Sequence, residues 1–328
     1  MTKTQHFNSV PAIARNIRSG AHVIFLAICA MAFGSNASGA SGFAFEQADD
    51  RVIITHGNRP VAQYVFKVQK ILRPYFAQVH TPDGIQVTRN HPPVAGKDPV
   101  DHDTMHPGIW LAFGDIKGQD FWRNKAAIRH GKFIEPLSVA NNQLTFATEN
   151  TLIATGGEIL AKLNSAFVLT SLDDGYLVSW KAAFTPLVDD FAFGDQEEMG
   201  FGIRIATPLS EKNGGTVRNS DGLTGAKNTW GKTAAWCDYS GVLSNRLVGI
   251  TVLAEPTNFR PSWFHSRDYG LIVANPFGQQ AFTKGEPSRV PVAKGKTFTL
   301  RFAAFIHSTP TNQPPDIAGA YKTFTSEK

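Results

Sequence analysis

The chain has 328 residues, 42% of them hydrophobic, with 32 Lys and Arg against 27 Asp and Glu. Three of those bases, Lys3, Arg15 and Arg18, precede the first apolar run; without them 29 bases face 27 acids, a balance with no basic stripe that argues against nucleic acid as a partner. Of the two cysteines, Cys29 falls in that apolar run and Cys237 stands alone, so a disulfide scaffold is excluded once the run is removed and the apolar core must hold the fold.

Residues 1–42 read as an export signal. The leading bases are followed by the short apolar run Ala21–Phe33 and then by small residues, with cleavage expected between Ser38 and Phe43. The run falls short of the roughly 20 residues a spanning helix needs, and no later stretch reaches that length. The mature protein is therefore expected in the periplasm or the medium, with no integral membrane segment.

Residues 43–328 read as a single all-β domain. Arg51–Thr55 and Pro60–Phe66 form a hairpin around His-Gly-Asn-Arg, and Tyr75–Thr81 with Ile85–Arg89 form a second around Pro-Asp-Gly. Phe167–Ser171 and Tyr176–Phe184, joined by Asp173-Asp174-Gly175, give the clearest hairpin signal, with Asp-Gly at the turn. Gln143–Thr148, Phe201–Ala206, Leu247–Leu253, Gly270–Ala274 and Thr297–Ile306 are further strand-like runs. Arg123–Lys132 reads as a basic loop, and only Asp316–Phe324 reads as a helix. Short strands separated by Gly, Pro, Asn and Asp, without β–α–β alternation, point to a large antiparallel β-sandwich with a short C-terminal helix.

Three stretches combine aromatic, acidic and basic residues in the manner of a sugar-binding cleft, where rings cover apolar sugar faces and polar groups bond hydroxyls. The first, Asp101–Trp122, holds His102, His106, Trp110, Asp115, Asp120 and Trp122. The four-residue spacing of its histidines suits a metal pair on a helix, but Pro107 and Gly108 break a helix there, so acid–base chemistry or a sugar contact is the better reading. A divalent metal held by His102, His106 and His265 is the less favoured alternative, and no cofactor is expected. The second stretch brings Glu198 to the mouth of a strand that carries Arg204 opposite Phe201, Ile203 and Ile205. The third, from Asn219 to Gly278, holds Trp230, Asp238, Tyr239, His265, Arg267, Asp268, Tyr269 and Asn275. Alternation places His265, Arg267 and Tyr269 on one side of an extended segment, while Cys237 reads as a small packed residue.

The strings DHDTMHPGIWLAFGDIKGQDFW, EEMGFGIRIA, NSDGLTG, TWGKTAAWCDYSG and WFHSRDYGLIVANPFG resemble a bacterial family labelled "methane oxygenase PmoA-like", from about residue 50 to the C-terminus. The resemblance implies a β-sandwich, with the galactose-mutarotase-like supersandwich as one form of it, in a setting of carbohydrate utilisation. Copper-dependent methane oxidation is not implied, because that chemistry belongs to a membrane enzyme with spanning helices. Many members carry adjacent histidines and an arginine before the Gly-(Leu/Ile)-Trp element; here the histidines are spaced apart and Pro107 stands in the arginine's place. The expected function is that of an exported carbohydrate-active enzyme. His102, His106, Glu198 and His265 would carry acid–base chemistry, and Trp110, Asp115, Asp120, Trp122, Arg204, Trp230, Asp238, Tyr239, Arg267, Asp268, Tyr269 and Asn275 would contact the sugar. A non-catalytic glycan-binding protein is the alternative.

Overall fold

The computed structural model describes residues 42–327 together with Met1, so the expected export signal lies outside the described residues. Two antiparallel sheets form the body. The first runs, edge to edge, through Phe43–Gln47, Arg51–His56, Arg59–Val65, Tyr75–Ala77, Ile109–Ala112, Gly200–Arg204, Leu271–Asn275, Trp263–Arg267 and Lys232–Thr233. The second runs through Thr216–Asn219, Trp236–Leu243, Arg246–Ala254, Phe298–Pro310, Gly175–Pro186, Ile159–Leu172, Gln143–Ile153 and Ala127–Ala140. Phe191–Phe193 and Val290–Val292 make a small separate ribbon.

Aromatic side chains weld the sheets together. Tyr64 of the first sheet lies 5.1 Å from Phe146 and 4.9 Å from Phe167 of the second, and Phe201 stacks on Phe302 at 5.4 Å. Each such ring contributes about 1.5–3 kcal/mol on full burial. This inward set fixes what faces out. On Gly200–Arg204, Phe201 and Ile203 point into the core, which leaves Gly200, Gly202 and Arg204 on the outer face. Register then aligns Trp110, Gly202, Val273 and His265 as one outward row across four strands, and Arg204, Leu271 and Arg267 as the next.

The hairpin turns follow simple rules. Gly57-Asn58, Asn141-Asn142 and Ser244-Asn245 all have positive φ at both positions, as a two-residue type I′ turn requires. In the hairpin around residue 174 the turn pair is Asp173-Asp174, not Asp-Gly: Gly175 already pairs with Leu172. Its glycine serves the neighbouring strand, since a Cβ there would sit 1.9 Å from the Ile306 carbonyl oxygen. The hairpin expected over 75–89 reduces to the strand Tyr75–Ala77 and an isolated His80–Gln86 bridge.

Two other expectations change. Arg123–Lys132 is not wholly a loop, because Ala127–Ala140 forms the long edge strand of the second sheet. Short helices occur at Ala226–Thr229 and Gln279–Thr283 besides the expected C-terminal one, Ile317–Ser326. The Asp316 side chain caps that last helix by accepting from the Gly319 N–H at 2.9 Å. Ile317, Ala320 and Phe324 line one face of it and pack on Leu177, Leu253, Ala303 and Phe305, covering part of the second sheet's outer face. No helix among the described residues is long and apolar enough to cross a membrane.

Candidate functional site

The outer face of the first sheet gathers two imidazole–carboxylate groups. The first comes from the segment before Ile109–Ala112. The His106 N–H bonds the His102 carbonyl at 2.9 Å, so one hydrogen-bonded turn, without a helix, stacks the two rings 4.9 Å apart. His102 is exposed, and its Nδ1 lies 3.0 Å from Asp101 Oδ2. His106 is buried and sandwiched, with Trp110 parallel to it at 5.2 Å and Trp122 against it at 5.8 Å. Arg204 reaches both members: Nη2 donates to Asp101 Oδ1 at 3.1 Å and Nη1 faces His106 Nδ1 at 3.4 Å. A guanidinium can only donate, so His106 Nδ1 accepts and the ring proton sits on Nε2. Burial, helped by the charge of Arg204, holds the His106 imidazole well below the usual histidine range, and it stays neutral. Burial pushes the Asp101 carboxyl up, but the His102 hydrogen bond and the charges of Arg204 and Arg89 outweigh it and keep the group ionised.

The second group lies in the same outward row, three strand spacings or about 14 Å from Trp110. His265 is fully buried on Trp263–Arg267. Arg267 Nε donates to its Nε2 at 3.0 Å, which leaves the ring proton on Nδ1, 3.3 Å from Glu197 Oε1. Trp230 Nε1 lies 3.3 Å from the same Nδ1 and also donates to the Glu197 carboxylate. Arg267 Nη2 completes the hub with a 2.8 Å bond to Glu197 Oε1. The His265 hydrogen bond, with the nearby charges of His265 and Arg267, holds the Glu197 carboxyl below the usual range. Glu198 differs from its neighbour. It is about one third exposed, it makes no side-chain hydrogen bond among the described residues, and its Oε1 lies 3.7 Å from His265 Nε2. The loop carrying both glutamates is tied down by Asn275, whose amide donates to the carbonyls of Gln196 and Glu197.

Tyr269 joins the two groups. Its ring lies 4.5 Å beneath the Arg204 guanidinium, and its hydroxyl is pushed up to about 12 by burial and then by the charge of Glu198. Next to the His265 hub opens a pocket of about 670 Å³ whose walls include Trp230, Arg267 and Asp268. His106, Glu198 and His265 do not line that pocket; Trp230 and Arg267 are its link to His265.

Several residues expected to contact a sugar have other work. Trp110 and Trp122 are buried and support His106. Asp115 accepts from the Gly118 N–H and lines a different pocket with Lys117 and Arg289. Asp120 closes a turn by accepting from the N–H groups of Trp122 and Arg123. Asp238 is fully buried in the other sheet, bonded to His307, Thr251, Ser240 and Arg218. The Tyr239 hydroxyl bridges the Glu211 N–H to the carbonyls of Arg267 and Asp268, so it fixes the turn before Leu271. Asp268 is exposed and pairs with Lys212 at 3.6 Å. Asn275 spends both ends of its amide on backbone. Glu197, Asp101 and Arg89 were missed. The doublet Glu197-Glu198 was visible in the sequence, but nothing in it says which carboxylate meets His265.

The three histidines expected as alternative metal ligands are divided: Asp101, His102 and His106 form one ligand-sized cluster, Glu197, Glu198 and His265 another. In each cluster a guanidinium already bonds the carboxylate, Arg204 on Asp101 and Arg267 on Glu197. A fixed positive charge at that distance opposes a divalent cation on the same oxygens.

Residues 51–322 match the family described as "Family of unknown function (DUF6807)", and the chain belongs to it. No curated protein matches the chain. Among solved structures it is similar to a galactose mutarotase-like protein from Lactobacillus casei ATCC 334, at 10% identity and a TM-score of 0.36, covering 81% of this chain and 100% of that one. A galactose mutarotase related enzyme from Lactobacillus acidophilus gives 10% identity and a TM-score of 0.32, covering 83% and 99%. At scores this low, neither likeness bears on activity or ligand.

Proposed function

We propose that this family member is an exported carbohydrate-active enzyme that works by carboxylate–imidazole acid–base chemistry. The observation that carries the reading is Glu198: a half-buried carboxylate without a hydrogen-bonding partner among the described residues, 3.7 Å from an imidazole that Glu197 and Arg267 hold in one tautomer. A free carboxylate on a rigid base is suited to take or give a proton, while its tied-down neighbour orients the ring. Tyr269 and Arg267 stand beside Glu198 to bond hydroxyls, and Trp230 offers a ring face in the adjoining pocket. His102, exposed and oriented by Asp101, is the second proton carrier; His106 is too deeply buried to meet a substrate and acts as its support.

Mono- and oligosaccharides screened by thermal shift and product formation test this. With a substrate in hand, Glu198→Gln should lower turnover by about 10²-fold or more and leave the melting temperature unchanged. Full turnover in that variant would sink the enzymatic reading of Glu198.

One observation favours the second reading, a glycan-binding protein without chemistry. Both ring nitrogens of His265 are already engaged, Nδ1 with the Glu197 carboxylate and Nε2 with Arg267. In that case sugars bind, no product forms, and Glu198→Gln changes affinity alone.

A further inference from the structure

Beneath the His102–His106 turn the structure concentrates positive charge and unused N–H groups. Arg73, Arg89 and Arg204 are each no more than 3% exposed. Arg89 spends its guanidinium on the carbonyls of Pro99, Asp101, His102 and His106, and Arg73 on those of Met105 and Trp122 and on the Asn124 side chain. Carbonyls orient these cations but do not neutralise them. Among the described residues, the one carboxylate in ion-pair contact is Asp101, shared between Arg89 at 3.5 Å and Arg204 at 3.1 Å and itself 38% exposed. Asp98, Asp103 and Asp120 act only from further away.

The second observation is independent of charge. The Nε atoms of Arg73 and Arg89, Nε2 of His106, and Nε1 of Trp110 and Trp122 are buried and have no acceptor among the described residues. With its proton on Nε2, as Arg204 requires, His106 contributes a donor like the other four. The other four belong to residues gathered around that imidazole: its ring contacts both indoles, Arg89 bonds the His106 carbonyl, and Arg73 bonds the carbonyls of Met105 and Trp122. Each buried donor left without an acceptor costs about 1–3 kcal/mol, so five in one neighbourhood call for an acceptor. Water can accept from N–H groups, but it leaves the surplus of positive charge in place.

We propose that a compact monoanion of chloride size binds among these donors at the Nε2 edge of His106. It supplies the missing acceptor and the missing negative charge together, and it locks the turn that carries His102. The proposal does not depend on the carbohydrate reading, because the site is buried and its ligand is a free ion.

The test uses the full mature protein, with halides as probes. At matched ionic strength, replacing sodium gluconate by sodium chloride or bromide should raise the melting temperature saturably, by about 5 °C at a hundredfold excess over Kd. Trp122→Phe removes one donor and should weaken the halide response several-fold; Trp110→Phe is the second such variant. Crystals grown in bromide should show an anomalous peak within hydrogen-bonding distance of at least three of the five nitrogens. Equal melting temperatures in bromide and gluconate, or a bromide peak elsewhere only, would overturn the proposal. If neither variant folds, the halide titration and the bromide peak in the parent protein still decide it.

Discussion

Asp238→Asn separates a structural from a substrate-contacting role for the most buried acid among the expected site residues. The carboxylate and the His307 imidazole are both 0% exposed. Thr251 Oγ1 and His307 Nε2 converge on Oδ1 at 2.8 and 2.9 Å, while Ser240 Oγ and Arg218 Nε converge on Oδ2 at 2.8 and 3.1 Å. Asparagine keeps the shape but turns one oxygen into an NH₂ donor; the hydroxyl there can turn to accept, while the nitrogen donor beside it, His307 Nε2 or Arg218 Nε, is left facing an N–H. Hydrogen bonds to a charged acceptor are worth about 1.5–3 kcal/mol each. Losing one of them, together with the charge that strengthens the others, should cost about 3–5 kcal/mol, which agrees with the usual cost of breaking a buried pair. For a chain of this size that lowers the melting temperature by about 5–8 °C. Calorimetry and denaturant titration measure it, with ligand affinity determined on the folded fraction. The reasoning is refuted if the variant melts within a degree of the parent, and more so if it does so while losing its ligand.

Glu197→Gln should barely change stability, because its partner Arg267 is 39% exposed and an exposed pair is worth about 1 kcal/mol or less. It should nonetheless cost about tenfold or more in turnover or affinity by releasing the His265 tautomer, which ¹⁵N shifts of the imidazole would report. Stability should fall on acidification below about pH 6.5: burial lowers His106, His91, His80 and His130, His91 to about 4, so the unfolded chain takes up protons there first. His91→Gln should flatten that slope between about pH 6.5 and 4, and an unchanged melting-temperature profile would refute its share.

Much of the fold was legible because antiparallel strands announce themselves locally. The Gly57-Asn58 turn and the alternation of Phe201, Ile203 and Arg204 were enough to place a hairpin and a buried face. The edge strand Ala127–Ala140 was missed for a physical reason. Its sequence is charged and mostly exposed, and three register shifts interrupt its pairing, features that keep an edge from joining another sheet and also erase period-two alternation. The Asn141-Asn142 turn was the signal that could have found it. The site was half legible. Residue types in the right segments pointed to His265, Arg267, Glu198 and Arg204, but the same types at Asp115, Asp120 and Asp238 serve turns and a buried network. A side chain's partners come from the neighbouring strand, and a linear string does not hold them.

The placement of the site depends on one strand with almost no side chains on its outer face. Gly200 and Gly202 leave that face bare, and a Cβ on Gly202 would lie 2.5 Å from the Trp110 ring. The bare strand lets the indole lie flat over the backbone, so His106 can stack on it and Arg204, the strand's last outward residue, can reach both His106 and Tyr269. Strands therefore fix Arg204, His265 and Arg267, while the carboxylates Asp101, Glu197 and Glu198 sit on loops that Arg89, Arg204 and Asn275 tie to the sheet. His106, stacked on Trp110, and His265, on its strand, are held away from solvent, which leaves Glu198 and His102 as the members that still face it.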